Sequence, residues 1–210
     1  MLGRRTPWFA AAPARCRAFV RRGRVSVVVC ALLSALAPRG APAQIRLTQQ
    51  QALRLAFPEP ATIERHTAFL SEEQLERARR LAGTDVSLDG RVVTYYVAAQ
   101  NGEPIGIAYF DVHRVRTLPE VLMIVVTPRA RVERIEVLKF SEPPEYEAPD
   151  GWLDQFVGKG LSADLSTKGS IVNITGATLT SGAVSRAVRR VLALNDVIGP
   201  LAGGEVTGRP

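Results

Sequence analysis

The chain has 210 residues and a formal net charge of +7, and all of its excess positive charge lies at the N-terminus. Residues 1–43 hold eight of the 27 Lys and Arg residues and no Asp or Glu; subtracting these eight leaves 19 basic residues against 20 acidic ones. A nucleic-acid-binding domain needs Lys and Arg on its folded surface, where they neutralise phosphates. The net charge of −1 beyond residue 43 therefore argues against nucleic acid as a partner.

Residues 1–43 have the order of a secretory signal peptide. An Arg-rich stretch precedes an apolar run at residues 25–37, and the small-residue triplet Ala41-Pro42-Ala43 follows it. The apolar run has 13 residues, fewer than the ~20 that a helix needs to cross a bilayer. We therefore expect cleavage near Gln44 and export to the periplasm or to the outer face of the cytoplasmic membrane. A retained N-terminal membrane anchor is the alternative.

The mature chain would contain no cysteine, because Cys16 and Cys30 both lie in the predicted signal peptide. This excludes disulfides, thiolate metal sites, iron–sulfur clusters and C-x-x-C-H haem attachment from the exported protein. His66 and His113 lack metal-binding spacing, and the chain has neither a phosphate-binding loop nor a G-x-S-x-G nucleophile elbow. The sequence therefore predicts no metal site and no catalytic residue of a standard type.

Residues 44–90 are predicted to form a helical lead-in. A short helix is expected over residues 48–57, ended by Pro58. A second helix is expected after Ser71, an N-cap candidate that can form a capping box with Gln74, and before Gly83. The apolar positions of the second helix follow helical spacing and are predicted to face the core: Leu75, Ala78, Leu81 and Ala82.

The pattern changes from helical to extended at residue 91. Four runs rich in Val, Ile, Tyr and Phe are predicted as strands: residues 91–99, 104–112, 120–127 and 132–140. The Asn101-Gly102 pair between the first two runs is a strong hairpin signal. Because the connections are short, the four strands are expected to form an antiparallel meander.

The C-terminal part is predicted to be irregular at first and then helical. A short helix is expected near residues 152–157, followed by a Gly/Ser/Thr loop and a last amphipathic helix. Five positions of this last helix are in register to face the sheet: Val184, Ala187, Val188, Val191 and Leu194. A tail covers residues 196–210. The predicted fold class is α+β, an antiparallel sheet with helices packed against it in a single domain.

Small and hydroxyl-bearing residues cluster where the last helix is expected to begin, in the segment ITGATLTS at residues 174–181. Gly176 and Ala177 let a ligand approach the backbone closely, and the free N–H groups of a helix N-terminus favour an anionic group such as phosphate. The alternative is that Thr178, Thr180 or Ser181 is only the N-cap of the helix. Both interpretations stay open on the sequence.

The run from Thr175 to Ser181 resembles the flavinylation motif of the FMN-binding domain family. That domain occurs in one component of the sodium-translocating NADH:quinone oxidoreductase and in one component of the Rnf electron transport complex. The resemblance covers roughly Arg91 to Leu194, most of the mature chain, and implies an FMN-binding domain over residues 91–195. The resemblance implies FMN as the cofactor, joined through a phosphoester to Thr178. It also implies an FMN transferase that installs the cofactor from FAD after export. The other motif residues would bind around the cofactor: Thr175, Gly176, Ala177, Leu179, Thr180 and Ser181.

The resemblance extends upstream of the motif. Glu142 stands in a turn similar to the family's E-T-P-G, and Lys159 ends a segment similar to its W-x-x-x-F-x-G-K, which implies cofactor contacts for both residues. The chain departs from the family at Val172, where the transferase motif carries Asp six residues before the modified Thr, and at Glu145, which replaces the turn glycine. A solvated turn residue is the alternative interpretation of Glu142.

His113, near the end of a predicted strand, is a further candidate for the flavin site. An imidazole there could tune the flavin or pass a proton, and the neighbouring Arg114 or Arg116 could stabilise the reduced flavin as an anion. The alternative is a plain surface histidine flanked by arginines.

The sequence thus predicts an exported electron-transfer flavoprotein rather than a stand-alone enzyme, in which FMN does the chemistry and the protein supplies position and electrostatics. Its predicted partners are an FMN transferase and redox partners that the sequence does not identify, with a membrane electron-transport complex as one candidate. The first alternative is an extracytoplasmic adaptor that binds FMN non-covalently or not at all. The second is an enzyme that reduces a small acceptor.

Overall fold

A computed structural model describes residues 44–149 and 151–201 of the chain. The predicted signal peptide, with both cysteines, and residues 202–210 of the predicted tail lie outside these described residues. Within them, six strands form one sheet: β1 (Gln44–Ile45), β2 (Thr62–Phe69), β3 (Val92–Gln100), β4 (Glu103–Arg114), β5 (Pro119–Val126) and β6 (Val132–Phe140).

The sheet is antiparallel throughout and has the strand order β1-β6-β5-β4-β3-β2. The predicted meander is confirmed, since it corresponds to β3, β4, β5 and β6. The β3–β4 turn has φ of +52° at Asn101 and +83° at Gly102. Positive φ at both central residues matches the right-handed twist of the strands, so this pair closes the hairpin as predicted.

The described residues form three α-helices: α1 (Gln49–Ala56), α2 (Glu72–Ala82) and α3 (Thr178–Ile198). Of these, α1 and α3 pack against the sheet, and α2 packs on α3. Thr48 and Ser71 each cap a helix through a capping box, as the sequence of α2 predicted. Leu81 was predicted to face the core but is 38% exposed. It lies about a quarter turn from the centre of the buried stripe of α2. No helix in the described part of the chain is long and apolar enough to cross a membrane.

The two faces of the sheet carry separate cores, because successive side chains of a strand point to opposite faces. On one face, α3 and the 3-10 helix Trp152–Phe156 cover Tyr109, Leu122 and Ile124. On the other face, α1 covers Ala108, Met123 and Val125. The predicted inward positions of α3 are all buried: Val184, Ala187, Val188, Val191 and Leu194. The α+β fold class is confirmed.

β2 was not predicted from the sequence. It pairs with β3 over its whole length, from Thr62 opposite Ala99 to Phe69 opposite Val92, and forms an edge of the sheet. Its side chains are mostly polar and exposed. An edge strand needs little apolar patterning, which explains why it gave no clear signal. The segment predicted as a helical lead-in therefore also contributes a strand, and its helix α2 packs against α3.

Candidate functional site

α3 begins at Thr178 without a side-chain cap. Its N-cap residue is Ala177, which has no polar side chain, and Gly176 before it has φ of +84°, a conformation that favours glycine. The interpretation of Thr178, Thr180 or Ser181 as the N-cap is therefore wrong. No side chain at the cap position accepts a hydrogen bond from the first N–H groups of α3. The positive end of the helix dipole is therefore suited to bind an anionic group.

The hydroxyls of the motif differ in what they bind. Thr180 is buried and donates to the backbone oxygen of Tyr146. Ser181 is also buried and donates to Oδ1 of Asn173. Thr178 is exposed, and within the described residues its hydroxyl makes no hydrogen bond. Thr178 therefore presents a free hydroxyl at the start of α3, whereas Thr180 and Ser181 use theirs inside the fold.

The loop before the motif is held by the 3-10 helix Trp152–Phe156. The indole N–H of Trp152 donates to the carbonyl of Val172 at 2.8 Å, and the amide N–H of Val172 donates to Oε1 of Gln155 at 2.9 Å. Phe156 is fully buried and packs edge-on against Trp152. The side chain of Val172, the position of the family's Asp, is 70% exposed.

Lys159 lies away from the start of α3. Its carbonyl accepts the amide N–H of Val132, at the first residue of β6. Thr180 is bound instead to Tyr146, which packs against the cluster that contains Phe140, the last residue of β6. The eight steps of β6 between these ends correspond to about 27 Å of strand. The structure thus places the Lys159 backbone and Thr178 near opposite ends of β6.

Glu142 holds the turn between β4 and β5. Its Oε1 accepts the backbone N–H groups of Arg116 at 3.1 Å, Thr117 at 2.7 Å and Leu118 at 2.8 Å. The hydrogen bond from Leu118, with those from Thr117 and Arg116, lowers the pKa of Glu142 below its ordinary value. Glu142 is 8% exposed, so the interpretation as a solvated turn residue is wrong. Glu145 lies in the 3-10 helix Pro144–Tyr146, which needs no glycine.

The side chain of His113 is largely buried between two carboxylates, so the interpretation as a surface histidine is wrong. Its side chain is 8% exposed, with Nδ1 at 2.9 Å from Oδ1 of Asp111 and Nε2 at 3.0 Å from Oε2 of Glu120. Asp111 also accepts Nε of Arg190, on α3, at 2.7 Å. Burial opposes a charge on the imidazole, but the hydrogen bonds to Asp111 and Glu120 outweigh it and raise the pKa of His113 to about 8.

Sequence reasoning named His113 but not the other members of this cluster. Glu120 is directly opposite His113 in the β4–β5 register, and Asp111 lies two residues before it on the same face. His113 lies one residue beyond the predicted strand 104–112, so the three side chains come together only when that strand is extended and paired with the next one in its register. Within residues 44–149 and 151–201, no group of His, Cys, Asp and Glu is placed to hold a metal ion.

A cavity of about 860 Å³ lies between α3 and the sheet beside this cluster. β3 and β4 pair with each other from their hairpin as far as Tyr95 and Tyr109. Further from the hairpin they no longer pair: β3 continues beside β2, and β4 continues beside β5. We call this opening between residues 92–94 and 110–114 the fork. Its walls include Asp111 and His113 from β4 and Arg186 and Arg190 from α3.

The model of the family described as the FMN-binding domain matches residues 119–193. The match begins at the first residue of β5, contains Glu142, Lys159 and the motif from Thr175 to Ser181, and ends in α3. No curated protein matches the chain at a significant level. The predicted resemblance to this family is confirmed, and so is FMN as the cofactor. His113 lies before the matched residues.

Proposed function

Because the chain contains an FMN-binding domain, we propose that it is an exported flavoprotein that carries FMN as a phosphoester on Thr178 and transfers electrons. The observation that carries the proposal is the exposed, unbonded hydroxyl of Thr178 at the first residue of α3, inside the matched domain. The bound flavin supplies the redox chemistry, and this chain supplies its position and its electrostatic surroundings.

Attachment is a substitution at phosphorus. Oγ1 of Thr178 attacks the phosphorus on the FMN side of FAD, and the P–O bond of the pyrophosphate to the AMP half breaks. AMP leaves, and the hydroxyl proton passes to a base that the FMN transferase supplies. The protein gains the mass of one FMN less one water, and no oxidant or reductant is needed.

Three features of the described residues favour Thr178 over its neighbours. A modifying enzyme must reach the hydroxyl, which excludes the buried Thr180 and Ser181. The uncapped start of α3 stabilises the negative charge that the phosphodiester keeps. Thr175 is exposed as well, but it lies before Gly176 and outside α3, so its hydroxyl is not at the helix N-terminus.

Export is part of the proposal because of the order of residues 1–43, in which an Arg-rich stretch, an apolar run and a small-residue triplet follow one another. A covalent bond keeps the cofactor on a protein that works outside the cytoplasm, where free flavin would diffuse away. The FMN transferase is the proposed maturation partner. The proposed redox partner is a membrane electron-transport complex. The proposal therefore also places this protein at the membrane.

The alternative function is an extracytoplasmic adaptor that binds FMN non-covalently or not at all. Val172 favours it, because this exposed residue stands where the transferase motif carries a carboxylate. The two functions are separated by intact-mass measurement of the protein produced with and without the transferase. A covalent FMN adduct on the wild type, and its loss from Thr178→Val, is expected for the flavoprotein.

A further inference from the structure

We propose that His113 is a pH-sensitive tie between the sheet and α3, which holds the helix when the imidazole is protonated and loosens it when the proton is lost. The tie runs from Glu120 on β5 through His113 and Asp111 on β4 to Arg190 on α3. It needs no bound flavin, so it stands or fails independently of the proposed function.

The two ring nitrogens carry the first step. Nδ1 faces Asp111 at 2.9 Å and Nε2 faces Glu120 at 3.0 Å, so each nitrogen lies against a carboxylate oxygen. An imidazolium donates from both nitrogens, whereas a neutral imidazole has one N–H and one lone pair. Loss of the proton therefore turns one of these hydrogen bonds into a contact between a lone pair and a carboxylate.

Burial limits how far water can compensate for that loss. The side chains of Asp111 and His113 are each 8% exposed and that of Glu120 is 0% exposed. Oε1 of Glu120 already has no hydrogen-bond partner among the described residues. Leaving a buried carboxylate without its partner is costly, so the deprotonated cluster gains stability by admitting water or by letting its elements separate.

The charged groups that contact the ring or line the cavity beside it come from every element packed there. They are Asp111 and Arg114 on β4, Glu120 on β5, Arg186 and Arg190 on α3, and Asp85 and Asp89 before β3. His113 is the member whose ordinary pKa lies in the neutral range, so it is the group that switches.

α3 is the element that responds. Arg190 binds Asp111 through Nε at 2.7 Å and Nη2 at 3.3 Å, and its Nη1 donates to the carbonyl of Ser87 at 2.9 Å. The fork lies on the side of α3 that carries Arg186 and Arg190, whereas Val184, Ala187 and Val188 in the same turns pack in the core on the sheet. The side of α3 that lines the fork is therefore held by the contacts of Arg190 with Asp111 and Ser87, while the opposite side of the same turns packs on the sheet.

The direction of the effect follows from the raised pKa of His113. The group contributes stability that is fully present below its ordinary pKa of 6.5 and is lost as the pH rises through about 8. For this shift, the unfolding equilibrium constant of the protein should rise about 20-fold between pH 6 and pH 9.

The test uses the mature protein and three variants. Urea unfolding at pH 6 and pH 9 is combined with hydrogen exchange of the α3 amides, corrected for the intrinsic exchange rate. The wild type should show the rise in unfolding and lose protection around Arg186 and Arg190 at pH 9. His113→Gln should flatten both responses. His66→Gln is the matched control and should keep them, because His66 stacks on Tyr95 in β2 and β3 and takes no part in the tie.

A second measurement keeps the test decisive if His113→Gln fails to fold. The ring signals of His113 are titrated by NMR in the wild type and in Glu120→Gln, which removes one of the two carboxylates. The wild-type ring should titrate near pH 8, and that of Glu120→Gln closer to 6.5. Titration near 6.5 in both proteins, or an unchanged pH response in a folded His113→Gln, would overturn the proposal.

Discussion

The hydroxyl of Thr180 donates a hydrogen bond to the backbone carbonyl of Tyr146, and this bond fixes the first turn of α3 to the turn that follows β6. Thr180 is 1% exposed, so the bond lies inside the fold. Thr178, two residues earlier, is consequently presented to solvent from a turn of helix whose position is set. The same motif therefore has one hydroxyl that supports the site and another that is available for modification.

Replacing Thr180 by Val should separate these two roles. The change leaves the Tyr146 carbonyl without its donor, which costs about 1–3 kcal/mol of unfolding free energy. Urea unfolding measures this loss, and fluorescence on a denaturing gel measures covalent flavin. We expect a less stable protein that still carries FMN. A folded Thr180→Val protein without covalent flavin would show that Thr180 is needed for attachment.

Gly176→Ala should destabilise the protein through backbone conformation alone. An added Cβ at Gly176 meets no atom within 4 Å, but its φ of +84° is strained for any L side chain. The expected cost is about 1–2 kcal/mol. Gly90→Ala is the matched control, because a Cβ at Gly90 also meets no atom within 4 Å and the φ of Gly90 is not positive. This variant should change stability by less than about 0.5 kcal/mol. Equal effects of the two variants would contradict this explanation.

Val172→Asp should raise the yield of covalent flavin. It restores the carboxylate of the transferase motif at a side chain that is 70% exposed, so stability should change by no more than about 0.5 kcal/mol. The ratio of modified to unmodified intact mass gives the yield after co-expression with a limiting amount of transferase. Val157→Asp, at another exposed valine, is the control and should leave the yield unchanged. A yield that Val172→Asp does not raise would mean that this position does not limit attachment.

The sequence was sufficient for most of the fold because its signals are local. Asn101-Gly102 set the hairpin, Ser71 and Gln74 set the start of α2, and the apolar spacing of α3 placed its buried face. β2 was missed because an edge strand can be polar on both faces. The fork could not be predicted from the sequence. It exists because β3 and β4 do not pair over residues 92–94 and 110–114, and no sequence pattern shows where two neighbouring strands stop pairing.

The candidate site was predictable only in part. Thr178 was identified from a short contiguous motif, which a sequence displays directly. The burial of His113 depends on Glu120 across a strand pair and on Asp111, itself bound to Arg190 79 positions further along the chain. The three amides that bind Glu142 lie 24 to 26 positions away. Such contacts follow from register and packing, which single-residue patterns do not contain.

The central claim is that Thr178 carries the flavin. Intact-mass spectrometry under denaturing conditions tests it most directly, on wild type, Thr178→Val and Thr175→Val, each produced with the FMN transferase. Thr175→Val is the control because it removes the other exposed hydroxyl of the motif. We predict an adduct of one FMN less one water on the wild type and on Thr175→Val, and none on a folded Thr178→Val. An adduct that persists on Thr178→Val, or that disappears only from Thr175→Val, would contradict the assignment.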